Sequence, residues 1–140
     1  VSTDQIADVV DGGAAGENDI LIVDDATVVR MYYRQILESA GYQVGEAING
    51  LEGLEKAAQH RYALCIVDVN MPVMDGYAFL HALRREPSLR AMPALMTSTE
   101  AGAEDRHAAR QSGANFYLIK PVAKVQLAMH VAAMLGRASA

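Results

Sequence analysis

The run Ala63-Leu64-Cys65-Ile66-Val67-Asp68 decides the fold of this chain. It is apolar throughout, shorter than a typical helix, and closed by a carboxylate, the pattern of a strand buried on both faces of a parallel sheet. A matching run, Ile20-Leu21-Ile22-Val23, closes on Asp24-Asp25. Helical periodicity follows at once: Val29, Tyr33, Ile36, Leu37 and Ala40 fall on one stripe, and Gly41 stops it. Working outward, Tyr42 to Ala47 reads as a weaker strand, and Asn49-Gly50 leads into a helix ending near His60. After Asp68 comes the loop Asn70-Met71-Pro72, then a helix from about Gly76 to Arg85 that stops before Pro87. Ala94 to Thr97 is the fourth strand, a helix spans about Glu104 to Ser112 before Gly113, Phe116 to Ile119 is the fifth strand, and Pro121 opens a last helix. Five strands alternating with five helices predict an α/β fold, because parallel neighbours need crossover connections and those crossovers are helices.

The remaining sequence bounds the chemistry. Residues 1–19 end in a glycine-rich acidic stretch and read as a flexible N-terminal tail or linker, so the folded domain is placed at 20–140. Ile6, Val9 and Val10 offer at most one helical turn within it. The net charge of -5 disfavours direct nucleic-acid binding, since no phosphate-neutralising excess is present. Cys65, the single cysteine, lies inside an apolar run, which leaves neither a disulfide nor a cysteine metal cage and fits a reducing cytosol. No apolar stretch approaches the roughly 20 residues of a membrane span, so a soluble cytoplasmic chain is predicted. The four histidines have no ligand spacing, and the methionines read as filler for core and loops.

Ligand sites of open α/β sheets form at the carboxyl ends of the strands. This chain places Asp24 and Asp25 after the first strand, Asp68 after the third, Ser98 after the fourth and Lys120 after the fifth. Converging carboxylates repel one another and need a cation, and oxygen ligands select a hard ion such as Mg²⁺, with Mn²⁺ as an alternative. Lys120 can hold one phosphate oxygen, and the Ser98 hydroxyl can donate to another. A carboxylate nucleophile, a metal and a lysine together form a phosphoryl-transfer site whose product is an aspartyl phosphate, with Asp68 as acceptor.

On these residues the segment from about Ile20 to Gly136 resembles the receiver domain of bacterial two-component response regulators, of the chemotaxis-regulator type. The resemblance rests on Asp24-Asp25, on Asp68 followed by Asn70-Met71-Pro72 and Asp75-Gly76, on Ser98, and on Lys120-Pro121. It implies a flavodoxin-like, doubly wound five-stranded parallel sheet of order 2-1-3-4-5. It also implies metal ligation by Asp25, Asp68 and the carbonyl of Asn70, with Asp24 acting mostly through water. A cis peptide before Pro121, frequent in that family, is expected as well. The implied donor is a phosphohistidine on a sensor histidine kinase or phosphotransfer protein, and the implied output is a downstream target or self-dimer. Such a domain is a signalling switch and catalyses only its own phosphorylation and dephosphorylation.

Several positions depart from the family or are ambiguous. Of the hydroxyls Thr97-Ser98-Thr99, strand alternation and spacing select Ser98 as the switch residue. Thr99 stands where the family usually has alanine or glycine, so Thr99 and Glu100 are assigned to tuning access. Tyr117 matches an aromatic that the family uses as a rotamer switch; otherwise it is an ordinary strand tyrosine. Haloacid-dehalogenase phosphatases share the strand-end aspartate, but they carry a second aspartate where this chain has Asn70. A degenerate receiver would lack a pocket residue, and none is missing. On a helical wheel of the last helix, Leu127, Val131, Met134 and Leu135 suffice for packing. Val125, Ala128, Met129 and Ala132 then form a surplus apolar face, so Val125, Met129 and Ala132 are a candidate partner surface.

Overall fold

A computed structural model of the chain describes residues 16–137. The predicted tail lies outside the described residues except for its end: residues 16–18 form a turn, and the first strand already starts at Asp19. The described elements are β1 (Asp19–Val23), α1 (Thr27–Ser39), β2 (Gln43–Ala47), α2 (Gly50–Gln59), β3 (Leu64–Asp68), α3 (Gly76–Arg85), β4 (Ala94–Ser98), α4 (Ala103–Ser112), β5 (Phe116–Ile119) and α5 (Lys124–Met134). All four strand pairings are parallel, and the order is β2-β1-β3-β4-β5.

Strand alternation divides the apolar residues between two faces. Ile20, Ile22, Leu64, Ile66, Leu95 and Leu118 pack against Tyr33, Ile36 and Leu37 of α1 and Leu127 and Val131 of α5. Leu21, Val23, Cys65, Val67, Ala94 and Met96 pack against Ala57 of α2, Phe79, Leu80 and Leu83 of α3, and Ala109 of α4. Burying each large aliphatic side chain contributes roughly 1.5–3 kcal/mol, so the central strands β1, β3 and β4 anchor the structure. Caps set the helix starts: Asn49 accepts from the Glu52 amide at 2.8 Å, and Asp75 from the Ala78 amide at 2.9 Å. Gly113 ends α4 with φ 110°, a left-handed conformation suited to glycine.

Two helical expectations need correction. Ala40, expected on the buried stripe of α1, is exposed, because the helix has already ended at Ser39 and Ala40 is its C-cap. Pro121 does not open the last helix. The helix begins at Lys124 with Ala123 as N-cap, and the intervening residues form a turn in which Val122 is buried against the α1/α5 core. The Lys120–Pro121 peptide is cis.

Candidate phosphoryl-transfer site

The chain leaves β1 in two directions: β2 pairs on one side and β3 on the other. The crevice at the carboxyl ends of β1 and β3 is therefore a topological switch point, where side chains from both strands converge without a helix filling the space. Asp24, Asp25 and Asp68 meet there, and each offers a carboxylate oxygen within 4.8 Å of the others. Asp24 and Asp68 are buried, whereas Asp25 is exposed.

Lys120, at the end of β5, reaches across the crevice. Its Nζ donates to Asp24 Oδ2 at 2.9 Å and stands 3.1 Å from Asp68 Oδ1. The other oxygen of Asp24 accepts from the Ala26 amide at 2.9 Å. One ammonium group thus serves two buried carboxylates. Burial, and secondly the charge of Asp24, push the Asp68 carboxyl up to about 6, against the pull of Lys120. Burial also works against the charge of Lys120, but Asp24 and Asp68 outweigh it and hold the ammonium above the ordinary lysine range. The donor set is all hard oxygen and carries excess negative charge, so it fits a small divalent cation such as Mg²⁺.

The loop after β3 is held close to this crevice by backbone contacts. The Gly76 amide donates to the Val69 carbonyl at 2.9 Å, and the Gly50 amide to the Met74 carbonyl at 3.0 Å. A Cβ at Gly76 would lie 2.3 Å from the Asp68 carbonyl oxygen, so only glycine permits this approach. Asn70 is exposed at the start of the loop. Val73 within it takes φ 70°, a conformation that a branched side chain enters at a cost.

The three hydroxyl residues differ in their surroundings: Thr97 and Ser98 are fully buried, and Thr99 is exposed. Thr97 is the register partner of Asp68. Ser98 is fully buried at the end of β4, and its Oγ accepts from the Glu100 amide at 3.0 Å, while its carbonyl accepts from the Lys120 amide at 2.8 Å. Thr99 and Glu100 are exposed beyond it. Tyr117 spans from β5 to this segment: its hydroxyl donates to the Glu100 carbonyl at 2.6 Å, and the Arg106 guanidinium lies 5.4 Å from its ring centre. Ser98, Lys120 and Tyr117 are therefore linked through one short stretch of backbone. Cys65 is fully buried, and burial pushes its thiol up to about 12, which makes it inert.

The candidate partner surface needs one change. Val125 is 66% and Met129 54% exposed, but Ala132 is only 8% exposed and belongs to the packed side of α5. A wheel drawn for an isolated helix cannot show that the docked face of α5 is wide enough to include Ala132. Phe116 of β5 is also 48% exposed, and its ring centre lies 5.7 Å from that of His130 on α5.

Sequence reasoning passed over Arg30. It is 9% exposed, donates from Nη1 to the Asp24 carbonyl at 2.8 Å, and pairs through Nε with Glu46 Oε1 at 2.7 Å. The available signal was its spacing, since Arg30, Tyr33 and Leu37 fall at i, i+3 and i+7 on the buried side of α1. A charged residue there requires a buried partner.

Comparison with known proteins gives a consistent result. Residues 20–132 match the family model described as the response regulator receiver domain. The transcriptional regulatory protein PrrA of Mycobacterium tuberculosis is 34% identical over 118 residues, covering 84% of this chain and 50% of the relative. The chain thus spans about half the length of the curated relatives it matches. The chemotaxis protein CheY4 of Vibrio cholerae is 35% identical with a TM-score of 0.79, over 83% of this chain and 97% of that one. The receiver domain of a sensor histidine kinase from Pseudomonas aeruginosa, solved with a magnesium ion in its active site cleft, is 29% identical with a TM-score of 0.79, over 85% of this chain and 98% of that one.

Proposed function

Since the chain belongs to the response regulator receiver domain family, we propose that it accepts a phosphoryl group on Asp68 in a Mg²⁺-dependent reaction and thereby switches a partner-binding surface. The observation that carries this reading is the convergence of Asp24, Asp25 and Asp68 within 4.8 Å, with Lys120 only 3.1 Å from Asp68. The donor is a phosphohistidine on a sensor histidine kinase or phosphotransfer protein. The receiver starts with β1 at Asp19, and the reaction takes place in the cytoplasm. No helix among the described residues is long and apolar enough to cross a membrane.

An ionised oxygen of Asp68 attacks phosphorus, the nitrogen–phosphorus bond of the donor breaks, and the bonding pair returns to the imidazole, which keeps or takes up a proton. Asp24, Asp25, Asp68 and the Asn70 carbonyl would hold Mg²⁺, which when bound offsets the charge on the phosphoryl oxygens. Lys120 holds a phosphoryl oxygen by moving from Asp68 to the new group. Ser98 gives up its contact with the Glu100 amide to meet the phosphoryl group. That exchange moves the Thr99-Glu100 segment on which the Tyr117 hydroxyl rests, and so relays the event to the β5/α5 surface. Reversal by water regenerates Asp68, and the domain turns over no other substrate.

The test is intact-mass measurement after incubation with Mg²⁺ and acetyl phosphate. The wild type is expected to gain one phosphoryl group, and to gain none when the metal is chelated before the phosphodonor is added. Labelling that persists unchanged in Asp68→Asn would overturn the assignment.

A further inference from the structure

Arg30 is a buried cation whose contacts join the turn between β1 and α1 to the edge strand β2. Its Nη1 donates to the Asp24 carbonyl at 2.8 Å, its Nη2 reaches Thr27 Oγ1 at 3.3 Å, and its Nε donates to Glu46 Oε1 at 2.7 Å. Glu46 lies on the edge strand β2, and its second oxygen accepts from Arg34 Nε at 2.6 Å. Burial would raise the Glu46 carboxyl, but the bonds from Arg34 and Arg30 outweigh it and hold it below the ordinary range. The β1 end is tied to β2 a second time, because the Asp24 amide donates to the Ala47 carbonyl at 3.0 Å. Edge strand, first turn of α1 and acidic pair are thus joined through one planar guanidinium.

We infer that Arg30 is a positioning residue for the metal-binding pair, acting through the peptide group that joins Asp24 to Asp25. The inference rests on the Mg²⁺-dependent reading above. That peptide is planar, so fixing the direction of its carbonyl oxygen fixes the path of the backbone into Asp25. The Asp24 side chain is held independently by Lys120 and the Ala26 amide. The restraint from Arg30 therefore falls chiefly on the aim of Asp25, the exposed member of the cluster.

Charge and position predict opposite effects. A cation near the crevice repels a divalent ion, so deleting it for charge alone would tighten Mg²⁺ binding. Deleting a backbone clamp loosens the ligand set and weakens it; outer partners of metal ligands typically contribute about tenfold or more to affinity. Lysine cannot replace the planar fork that serves Asp24 and Glu46 together. Arg34 still pairs with Glu46 when Arg30 is changed, so no buried carboxylate is stranded.

The test is calorimetric Mg²⁺ titration of wild type, Arg30→Met and Arg30→Lys, with circular dichroism to confirm folding. Arg30→Met is expected to bind Mg²⁺ about tenfold more weakly, with Arg30→Lys between it and wild type. In acetyl phosphate labelling, the Mg²⁺ concentration for half-maximal modification should rise in parallel, while modification at saturating Mg²⁺ is kept. If Arg30→Met is unfolded, Arg30→Lys decides alone: weaker binding supports the inference. Wild-type or tighter affinity in the folded variants overturns it. A wild type that binds no Mg²⁺ overturns the underlying reading as well, which separates the two failures.

Discussion

The ammonium of Lys120 stands 3.1 Å from Oδ1 of Asp68, close enough to stabilise the carboxylate yet shared with Asp24 at 2.9 Å. A single positive charge divided between two buried carboxylates leaves the crevice electrostatically incomplete. Burial, and secondly the charge of Asp24, keep the Asp68 carboxyl near 6 despite a cation beside it. The same arrangement leaves Lys120 ready to follow the negative charge when a phosphoryl group arrives.

A pH dependence of stability follows from that carboxyl. Well below the ordinary carboxylate range, folded and unfolded chains both hold the proton, and Asp68 contributes no difference. As pH rises toward about 6 the folded chain keeps a proton that the unfolded chain has lost, so stability falls, and above about 6 the loss is complete. Without divalent cation, Asp68→Asn should therefore be more stable than wild type by about 2 kcal/mol at about pH 7.5, the gain fading toward about pH 4. Urea midpoints across this range check it. Added Mg²⁺ should narrow the gap by binding the wild type.

Ser98 and Thr99 should separate in function. Thr99 is exposed beyond the buried Ser98, so Thr99→Ala should widen access and speed both acetyl phosphate labelling and spontaneous dephosphorylation. Ser98→Ala loses the contact with the Glu100 amide at 3.0 Å, which costs about 1 kcal/mol. It should still be labelled but respond weakly. Tyr117→Phe, which removes the 2.6 Å bond to the Glu100 carbonyl, should behave like Ser98→Ala. Mass labelling and phosphorylation-dependent chemical-shift changes distinguish these outcomes.

Val73 holds a left-handed backbone at φ 70° while 77% exposed, so its side chain gains little from packing in return. The Met74 amide donates to the Pro72 carbonyl at 2.7 Å, so Val73 is the centre of a γ-turn, which a side chain without β-branching enters at less cost. Val73→Asn should stabilise the domain by about 1 kcal/mol without changing Mg²⁺ affinity, as read by thermal unfolding and metal titration. A lower melting temperature would show that the loop gains from Val73 in some other way.

The exposed apolar side chains of Val125, Met129 and Phe116 should serve the output of the switch. Val125→Glu combined with Met129→Glu is expected to keep the fold and phosphoryl acceptance but lose phosphorylation-dependent self-association or target binding. Light scattering and target pull-down, each with and without acetyl phosphate, check this. Behaviour identical to wild type would place the output surface elsewhere.

The strand ends were legible in the sequence because the pattern is local. Ile20 to Val23 and Leu64 to Asp68 are buried on both faces, so their apolar runs stop where the sheet stops, and the polar residues that follow must lie at its carboxyl edge. Asp24, Asp25, Asp68 and Lys120 could be placed in one crevice on that argument, and the α3 limits Gly76 and Arg85 came with it. Arg30, Ala132 and Pro121 were a different matter. Whether Arg30 is an error in an apolar stripe or a buried clamp depends on the Asp24 carbonyl and on Glu46, sixteen residues away on another element. How much of α5 is covered depends on the width of the sheet face beneath it, which no helical wheel contains. Periodicity records which side of an element is apolar; the partners of a buried charge, the extent of a docked face and the path between elements arise only when the elements pack, since each is a relation between residues distant in the chain.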